Sequence, residues 1–392
     1  MSFRMITPAG VTLSLLTAFK LVFNYLFCSD HTEKFNQNFG ELINSDRLWT
    51  YAHGRDALFE GLKAMKTLKP EKAQVLMPVY TCQTVLKSVL SAGLTPVLYD
   101  TDPDTLGSKA ENIFKHINEN TLAIIAGGMY GIGINMSEIK DLCQEKTIYL
   151  IEDVAQSLGC AFENRLLGAW GDVAIYSFGQ SKPVSALGGG ALTTTNEKIS
   201  AIISNEYSHY SGPGLFQNFK DVIMLFASSV LLKPFCFYWL TRLKNNFEPK
   251  HDSAMIRTKR MSALNAAIGN FQILSFYKIT EQRKNNAELI EDAIKNKAGI
   301  KSILPDKKST NTYLRLPMIC SDRVTRDKWI KKLKSKGLWA SDKLYEPIYM
   351  FTDDKPESFP LFNSIKEKIL LITTHPYMNK KDIENLKPVN LD

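Results

Sequence analysis

Leu13, Leu16, Phe19, Phe23, Leu26 and Phe27 recur at helical spacing, which predicts an amphipathic helix over 11–28. Downstream the pattern changes to short apolar runs closed by turn residues: Gln74–Pro78, then 95–98 with Asp100, then 122–126 with Gly127-Gly128. The stretches 149–151 and 173–176 continue the series. Between these runs, 84–92 and 136–145 carry a helical period, and Gly54-Arg55-Asp56-Ala57-Leu58 reads as a turn opening a helix. Short apolar strands alternating with helices predict an α/β fold whose mostly parallel sheet is covered on both faces. After about residue 250 the character changes. A helical stretch over 262–295 leads to a strand over 313–318, a helix over 325–336 and a final segment over 369–386, the pattern of a smaller α+β lobe.

One stretch, 222–240, is too apolar for an ordinary surface loop. A membrane-spanning helix needs roughly 20 apolar residues, and Lys233-Pro234 interrupts this one, so spanning is not expected. Tyr238, Trp239, Arg242 and Lys244 at its end have the character of interfacial anchors. Two readings stay open: 222–240 lies on a bilayer together with the helix over 11–28, or the two pack against each other or across a dimer. The chain then divides into an amphipathic segment (1–34), a large domain (35–215), an apolar insertion (216–250) and a small C-terminal domain (251–392).

At 392 residues, with 44% hydrophobic and 22% charged positions, the chain is globular and long enough for two lobes. The formal charge of +8 is scattered; its mild clusters over 328–336 and at Lys366 and Lys368 read as solvated helix faces, so no nucleic acid partner is expected. The positive field favours anionic small molecules or an anionic membrane surface. Six cysteines, at 28, 82, 143, 160, 236 and 320, show no CxxC pair and no metal-like spacing with the six histidines. That usage suggests reduced thiols in a cytoplasmic protein with no metal. The apolar N-terminal stretch is interrupted by Lys20 and Asn24 and lacks a small-residue cleavage site, so a secretion signal is not expected.

The chemistry concentrates between residues 151 and 190. Ile151-Glu152-Asp153 reads as a buried strand ending in a carboxylate, and Tyr176-Ser177-Phe178-Gly179-Gln180-Ser181-Lys182 delivers one lysine into a small Ser- and Gly-rich turn ahead of Gly188-Gly189-Gly190. Ligands of such sheets sit beyond the carboxyl ends of strands, where Asp153 and Ser177 fall. The pairing suits pyridoxal phosphate (PLP), which needs an amine to hold its aldehyde as a Schiff base and an anion to keep its ring nitrogen protonated. Taken singly each residue has a plainer role: a loop lysine, a helix-capping Asp153, satisfied core polar groups at Gln156 and Ser177, a simple turn at 188–190. His375 reads as structural, and Tyr207, His209 and Tyr210 as either sugar-pocket or loop-packing residues.

Together the motifs resemble the DegT/DnrJ/StrS-type sugar aminotransferases, a branch of the fold-type I PLP enzymes. The resemblance rests on Gly54 to Leu58, Pro78-Val79-Tyr80-Thr81, Gly93 to Val97, Asp100 to Leu106, the Glu152-Asp153 to Gly159 block, Gly168 to Lys182, and Arg260-Met261-Ser262, seven motifs in the family's order. It implies a large domain with a seven-stranded, mostly parallel sheet and a smaller C-terminal α+β domain. It also implies roles: Lys182 as the Schiff-base lysine and proton shuttle, Asp153 facing the pyridine nitrogen, Gln156 near the ring hydroxyl, Ser177 on the phosphate, and Gly54 and Arg55 as the helix-opening turn that binds the phosphate. A homodimer with sites at the subunit boundary is implied as well. Two positions depart from the pattern. Cys82 stands where many members stack an aromatic ring on the cofactor, and Thr258 where a partner-subunit Asn often reaches the phosphate.

A related dehydratase branch carries His at the lysine position; this chain keeps Lys182, which favours amino transfer. The expected activity moves an amino group from an amino acid, glutamate foremost, to a keto sugar carried on a nucleotide, as in surface-polysaccharide or amino-sugar synthesis. The alternatives are another PLP reaction, a lipid-linked sugar substrate at the membrane, and a membrane-associated scaffold without turnover. Membrane contact would place the cytoplasmic protein at the inner membrane face.

Overall fold

In the computed structural model, which describes residues 3–8, 10, 13–243, 256–294, 297 and 299–386, the apolar runs assemble into one seven-stranded sheet. Its strands are β1 (Leu48–Tyr51), β2 (Gln74–Pro78), β3 (Thr95–Tyr99), β4 (Thr121–Gly127), β5 (Tyr149–Asp153), β6 (Val173–Ser177) and β7 (Gly190–Thr194). They lie in the order β1-β7-β6-β5-β4-β2-β3. The five from β6 to β3 run parallel, while β7 and β1 close one edge antiparallel. The two-residue period of each strand sends alternate residues to opposite faces, and here both faces are apolar and buried. Ile124, Ala126, Leu150 and Ala174 belong to one core, Ala123, Ile125, Ile151 and Ile175 to the other.

Helices seal each face. On the first pack α1 (Leu15–Phe27), α2 (His31–Ile43) and α5 (Met136–Glu145); on the second, α3 (Gly54–Leu68), α4 (Gln83–Ser91) and α6 (Glu197–Ser208). Two further helices, α7 (Leu215–Leu231) and α8 (Pro234–Leu243), occupy the apolar segment, with an angle of 99° between them at Lys233-Pro234. No single helix among the described residues is long and apolar enough to cross a membrane. Val11 of the first predicted helix and Lys244 of the proposed anchors lie outside the described residues, as does Lys295.

The expected 262–295 helix is two: α9 (Ala263–Ile273) and α10 (Phe276–Ile294), parted at Leu274-Ser275. The first buries Leu264 and Ile268 in the large core, and the second buries Ile290 and Ile294 in the small one. Each half keeps a helical period, and no Pro or Gly marks the change of partner. The small lobe is a four-stranded antiparallel sheet of β8 (Ile300–Ser302), β9 (Arg315–Cys320), β10 (Ala340–Ser341) and β11 (Ile369–Thr373), ordered β8-β9-β11-β10 and covered by α10 and α11 (Arg323–Ser335).

Two buried polar groups hold the frame around the site. The Glu152 carboxylate accepts the backbone N–H groups of Gly168 at 2.7 Å, Trp170 at 2.6 Å and Gly171 at 2.6 Å, fixing the return of the chain into β6. Burial pushes its pKa up while those three N–H groups pull it down. His375 follows β11, and its Nδ1 accepts the N–H of Tyr377 at 3.1 Å, the structural role expected of it. Burial first, and the charge of Arg283 second, hold its pKa well below the ordinary histidine value.

Two outcomes follow from this frame. Glu152→Gln sets an amide donor among three N–H donors and leaves one unpaired, so urea unfolding should show a loss of about 2–4 kcal/mol. For His375, a depressed folded-state pKa means that the unfolded chain takes up a proton the folded chain refuses. Stability therefore falls as pH drops below about 6.5, by at most about 1.4 kcal/mol per pH unit. Thermal melts at pH 7.5 and 5.5 should show a smaller difference in His375→Asn, whose amide oxygen can still accept from Tyr377, than in the unsubstituted chain.

Candidate active site

The carboxyl ends of β4, β5 and β6 open into a cleft of about 190 Å³. Gly54, Arg55, Cys82, Asp153, Gln156, Ser177 and Lys182, all seven residues singled out from the sequence, line it. Asp153 ends β5 and Ser177 ends β6, two strands that run in parallel register through Asp153 and Ile175. Lys182 comes from the loop after β6, which folds back on itself: its N–H donates to Gly179 O at 3.1 Å and that of Ala186 to Phe178 O at 2.8 Å.

The helix α3 points its N-terminus into the same cleft, with the first-turn N–H groups and the positive end of its dipole available to an anion. The approach is close. A Cβ on Gly54 would lie 2.9 Å from the Ser177 Cβ and 3.1 Å from the Tyr176 carbonyl oxygen; one on Gly190 would lie 2.3 Å from the Gly54 nitrogen. The glycine triplet thus starts β7 and admits the helix end, a larger role than a plain turn.

Electrostatics in the cleft oppose solvation. Burial lowers the Lys182 pKa from the ordinary lysine value, with Cys82 and Asp153 countering it and Arg315 adding to it. Burial raises the Asp153 pKa, countered by the Lys182 charge and by the Ala155 N–H that Oδ1 accepts at 3.0 Å. Each charge is costly alone and favoured by the other. Lys182 Nζ donates to the Tyr345 hydroxyl at 3.5 Å, and Gln156 Nε2 donates to the same oxygen at 3.3 Å. Gln156 Oε1 in turn accepts the Tyr130 N–H at 3.3 Å. Cys82 caps α4 and sets its Sγ 3.1 Å from the Thr84 Oγ1.

Other expected residues lie elsewhere. Thr258 does not line the cleft; its hydroxyl donates to Glu60 Oε1 at 2.7 Å. Tyr207 donates to the Thr50 carbonyl at 2.9 Å, packs edge-on against Tyr51 and lies under the Arg260 guanidinium, so the loop-packing reading holds for it. His209 and Tyr210 are likewise absent from the cleft lining.

Sequence reading missed Tyr345, which no periodicity marks and which arrives from the small lobe. It missed Arg315 as well. That side chain is buried at the start of β9 with Nε and Nη1 lacking hydrogen-bond partners, and its guanidinium lies 5.7 Å from the Trp339 ring centroid. The lone charged residue in the 313–318 apolar strand was the available signal.

The residues fit pyridoxal phosphate: a half-buried amine at Lys182, a half-buried carboxylate at Asp153, and a helix terminus cradled where no Cβ can stand. Comparison with known proteins agrees with this geometry. Residues 24–387 match the DegT/DnrJ/EryC1/StrS aminotransferase family. Among curated proteins, a GDP-perosamine synthase of Vibrio cholerae is 24% identical over 355 residues, covering 88% of this chain and 86% of that protein. Among solved structures, the aminotransferase TlmJ from Streptoalloteichus hindustanus superposes with a TM-score of 0.78 at 19% identity over 98% of this chain and 97% of that one. PseC of Helicobacter pylori, an aminotransferase involved in the biosynthesis of pseudoaminic acid, superposes with a TM-score of 0.78 at 16% identity over the same shares. These two likenesses concern the fold. The match over nearly the whole length shows that the chain belongs to the DegT/DnrJ/EryC1/StrS aminotransferase family.

Proposed function

We propose that this family member transfers an amino group from an α-amino acid, glutamate foremost, to a keto sugar carried on a nucleotide, using pyridoxal phosphate held at Lys182. The observation that carries the reading is the convergence of Lys182, Asp153 and the α3 terminus on one cleft. When bound, the cofactor supplies an aldehyde that accepts amines and a ring that stores the electrons released at the substrate carbon. Lys182 Nζ holds the aldehyde. Its lowered pKa also leaves it able, once displaced, to take a proton from the substrate carbon and return it. Asp153 would hold a proton on the ring nitrogen, Gln156 would lie toward the ring hydroxyl, and the N–H groups of Gly54 and Arg55 with the Ser177 hydroxyl would hold the phosphate.

Two further observations support the substrates. A groove of about 700 Å³ adjoins the cleft, sharing His53 and Arg55 with it, and adds Lys87, Arg257, Lys259 and Arg260 to its walls against Asp56 and Asp221. Such a cationic excess suits the diphosphate of a nucleotide sugar, and the Vibrio cholerae relative is named for a GDP-linked one. Arg315 is not among the residues that line the cleft, yet it is buried without a hydrogen-bonded acid and its charge reaches Lys182, so we assign it to a donor carboxylate. A homodimer in the cytoplasm belongs to the same proposal, the partner approaching the groove beside α3.

Three measurements test it. Borohydride reduction of the cofactor-loaded protein followed by peptide mapping should place the label on Lys182. Unlabelled Lys182 in fully loaded protein would reject the assignment. The glutamate-treated protein, offered a panel of nucleotide-linked keto sugars, should aminate at least one, and Lys182→Ala should lose about 10²–10⁴-fold or more of that activity. Arg315→Gln should raise KM for the donor about 10- to 100-fold with KM for the keto sugar unchanged. An equal rise in both constants would assign Arg315 to general packing.

A further inference from the structure

Away from the cleft, three helices break the rule that a surface helix turns its polar side outward. On α1, Ala18 and Leu21 are buried in the core, yet Leu16, Phe19, Phe23 and Phe27 on the outer side are exposed. The α7 helix buries Leu225 and exposes Phe219, with Leu215 and Phe216 at its start 89% and 82% exposed. The α8 helix exposes Phe235 and Trp239. These surfaces adjoin: the Phe19 and Phe226 rings lie 4.8 Å apart, joining α1 to α7, and Phe3 stacks on Trp239 at 6.4 Å. Isolated exposed apolar residues are ordinary, but a contiguous group of this size marks a binding face.

Charge identifies the occupant. Across α1, α7, α8 and the turn between the last two, the basic residues Lys20, Lys220, Lys233 and Arg242 are all exposed. The single acid of these helices, Asp221, is buried and engaged by Gln217 at 2.7 Å and Ser262 at 3.2 Å. The outward charge of the face is therefore of one sign. A self-complementary dimer surface would bring those cations against their own copies, whereas an anionic bilayer pairs with them. Lys and Arg also lay their apolar stems along the surface and lift their charges to the headgroups, and Arg242 sits over the Tyr238 ring at 4.8 Å in an aromatic and cationic pair suited to that depth. Length decides the mode of contact. The 17 residues of α7 reach about 26 Å, short of the roughly 30 Å hydrocarbon core, and the 99° turn into α8 denies a continuous rod.

We propose that α1, α7 and α8 form a docking face that seats the protein on an anionic lipid bilayer without crossing it. The inference stands on this surface alone and does not depend on the reaction. Flotation of the full-length protein with vesicles of phosphatidylglycerol and phosphatidylcholine tests it. The chain should float with these, float poorly with phosphatidylcholine alone, and be released as salt rises from about 0.1 to 1 M, which shortens the screening length from about 10 to 3 Å. The exposed pairs Phe216→Ser with Phe219→Ser, and Lys220→Glu with Lys233→Glu, should each cut the bound fraction about tenfold or more at an unchanged circular dichroism spectrum. Failure of the unsubstituted chain to float at low salt overturns the proposal, and so does flotation indifferent to both pairs. If sedimentation velocity instead shows that the phenylalanine pair dissociates an oligomer while the unsubstituted chain binds no vesicles, the face is a subunit interface and the proposal fails.

Discussion

Adjacent carboxylates at the end of one strand divide the labour on which this molecule depends. The strand's two-residue period sends Glu152 and Asp153 to opposite faces of β5. Glu152 is spent on architecture, gripping three backbone N–H groups of the loop that leads to β6. Asp153 is left facing the cleft, where the charge of Lys182 favours its ionised form against burial. The first carboxylate sets where β6 begins, β6 sets where its loop begins, and the loop carries Lys182. A one-residue slip in β5 would exchange the two faces and lose frame and chemistry together.

The parallel strands were legible because burial on both faces writes an unbroken apolar run into the sequence, as in β2 and β4. The amine, the carboxylate and the glycine turn were legible because strand ends in such sheets are where ligands sit. Other parts left weaker traces. The two strands that pair antiparallel, β1 and β7, carry Thr50, Thr193 and Thr194, so neither shows a continuous apolar run. The helix α2 is mostly polar, with Phe35, Phe39 and Ile43 as its only large buried apolar side chains. The break at Leu274-Ser275 hides because its cause is a change of packing partner and not a helix-breaking residue. Tyr345 could not be found from local pattern, since its partners Gln156 and Lys182 lie more than 160 residues away in the chain.

Three cations share one logic. Lys182, Arg283 and Arg315 are all depressed by burial, and Arg315 further lowers the other two. Around them stand Tyr80, Tyr130 and Tyr345, whose own ionisation burial suppresses, so the phenols stay neutral. Neutral hydroxyls can accept from a cation without cancelling its charge. Asp153 counters the charge at Lys182, and a ligand that brought a carboxylate or phosphate would gain from these cations in the same way.

Tyr345 has one more implication. Its hydroxyl receives Lys182 from the sheet lobe and Gln156 from the turn after β5, while its backbone belongs to the segment that follows β10 of the other lobe. One oxygen thus ties two lobes together, and a motion that parted them would also loosen the Lys182 amine from its phenol.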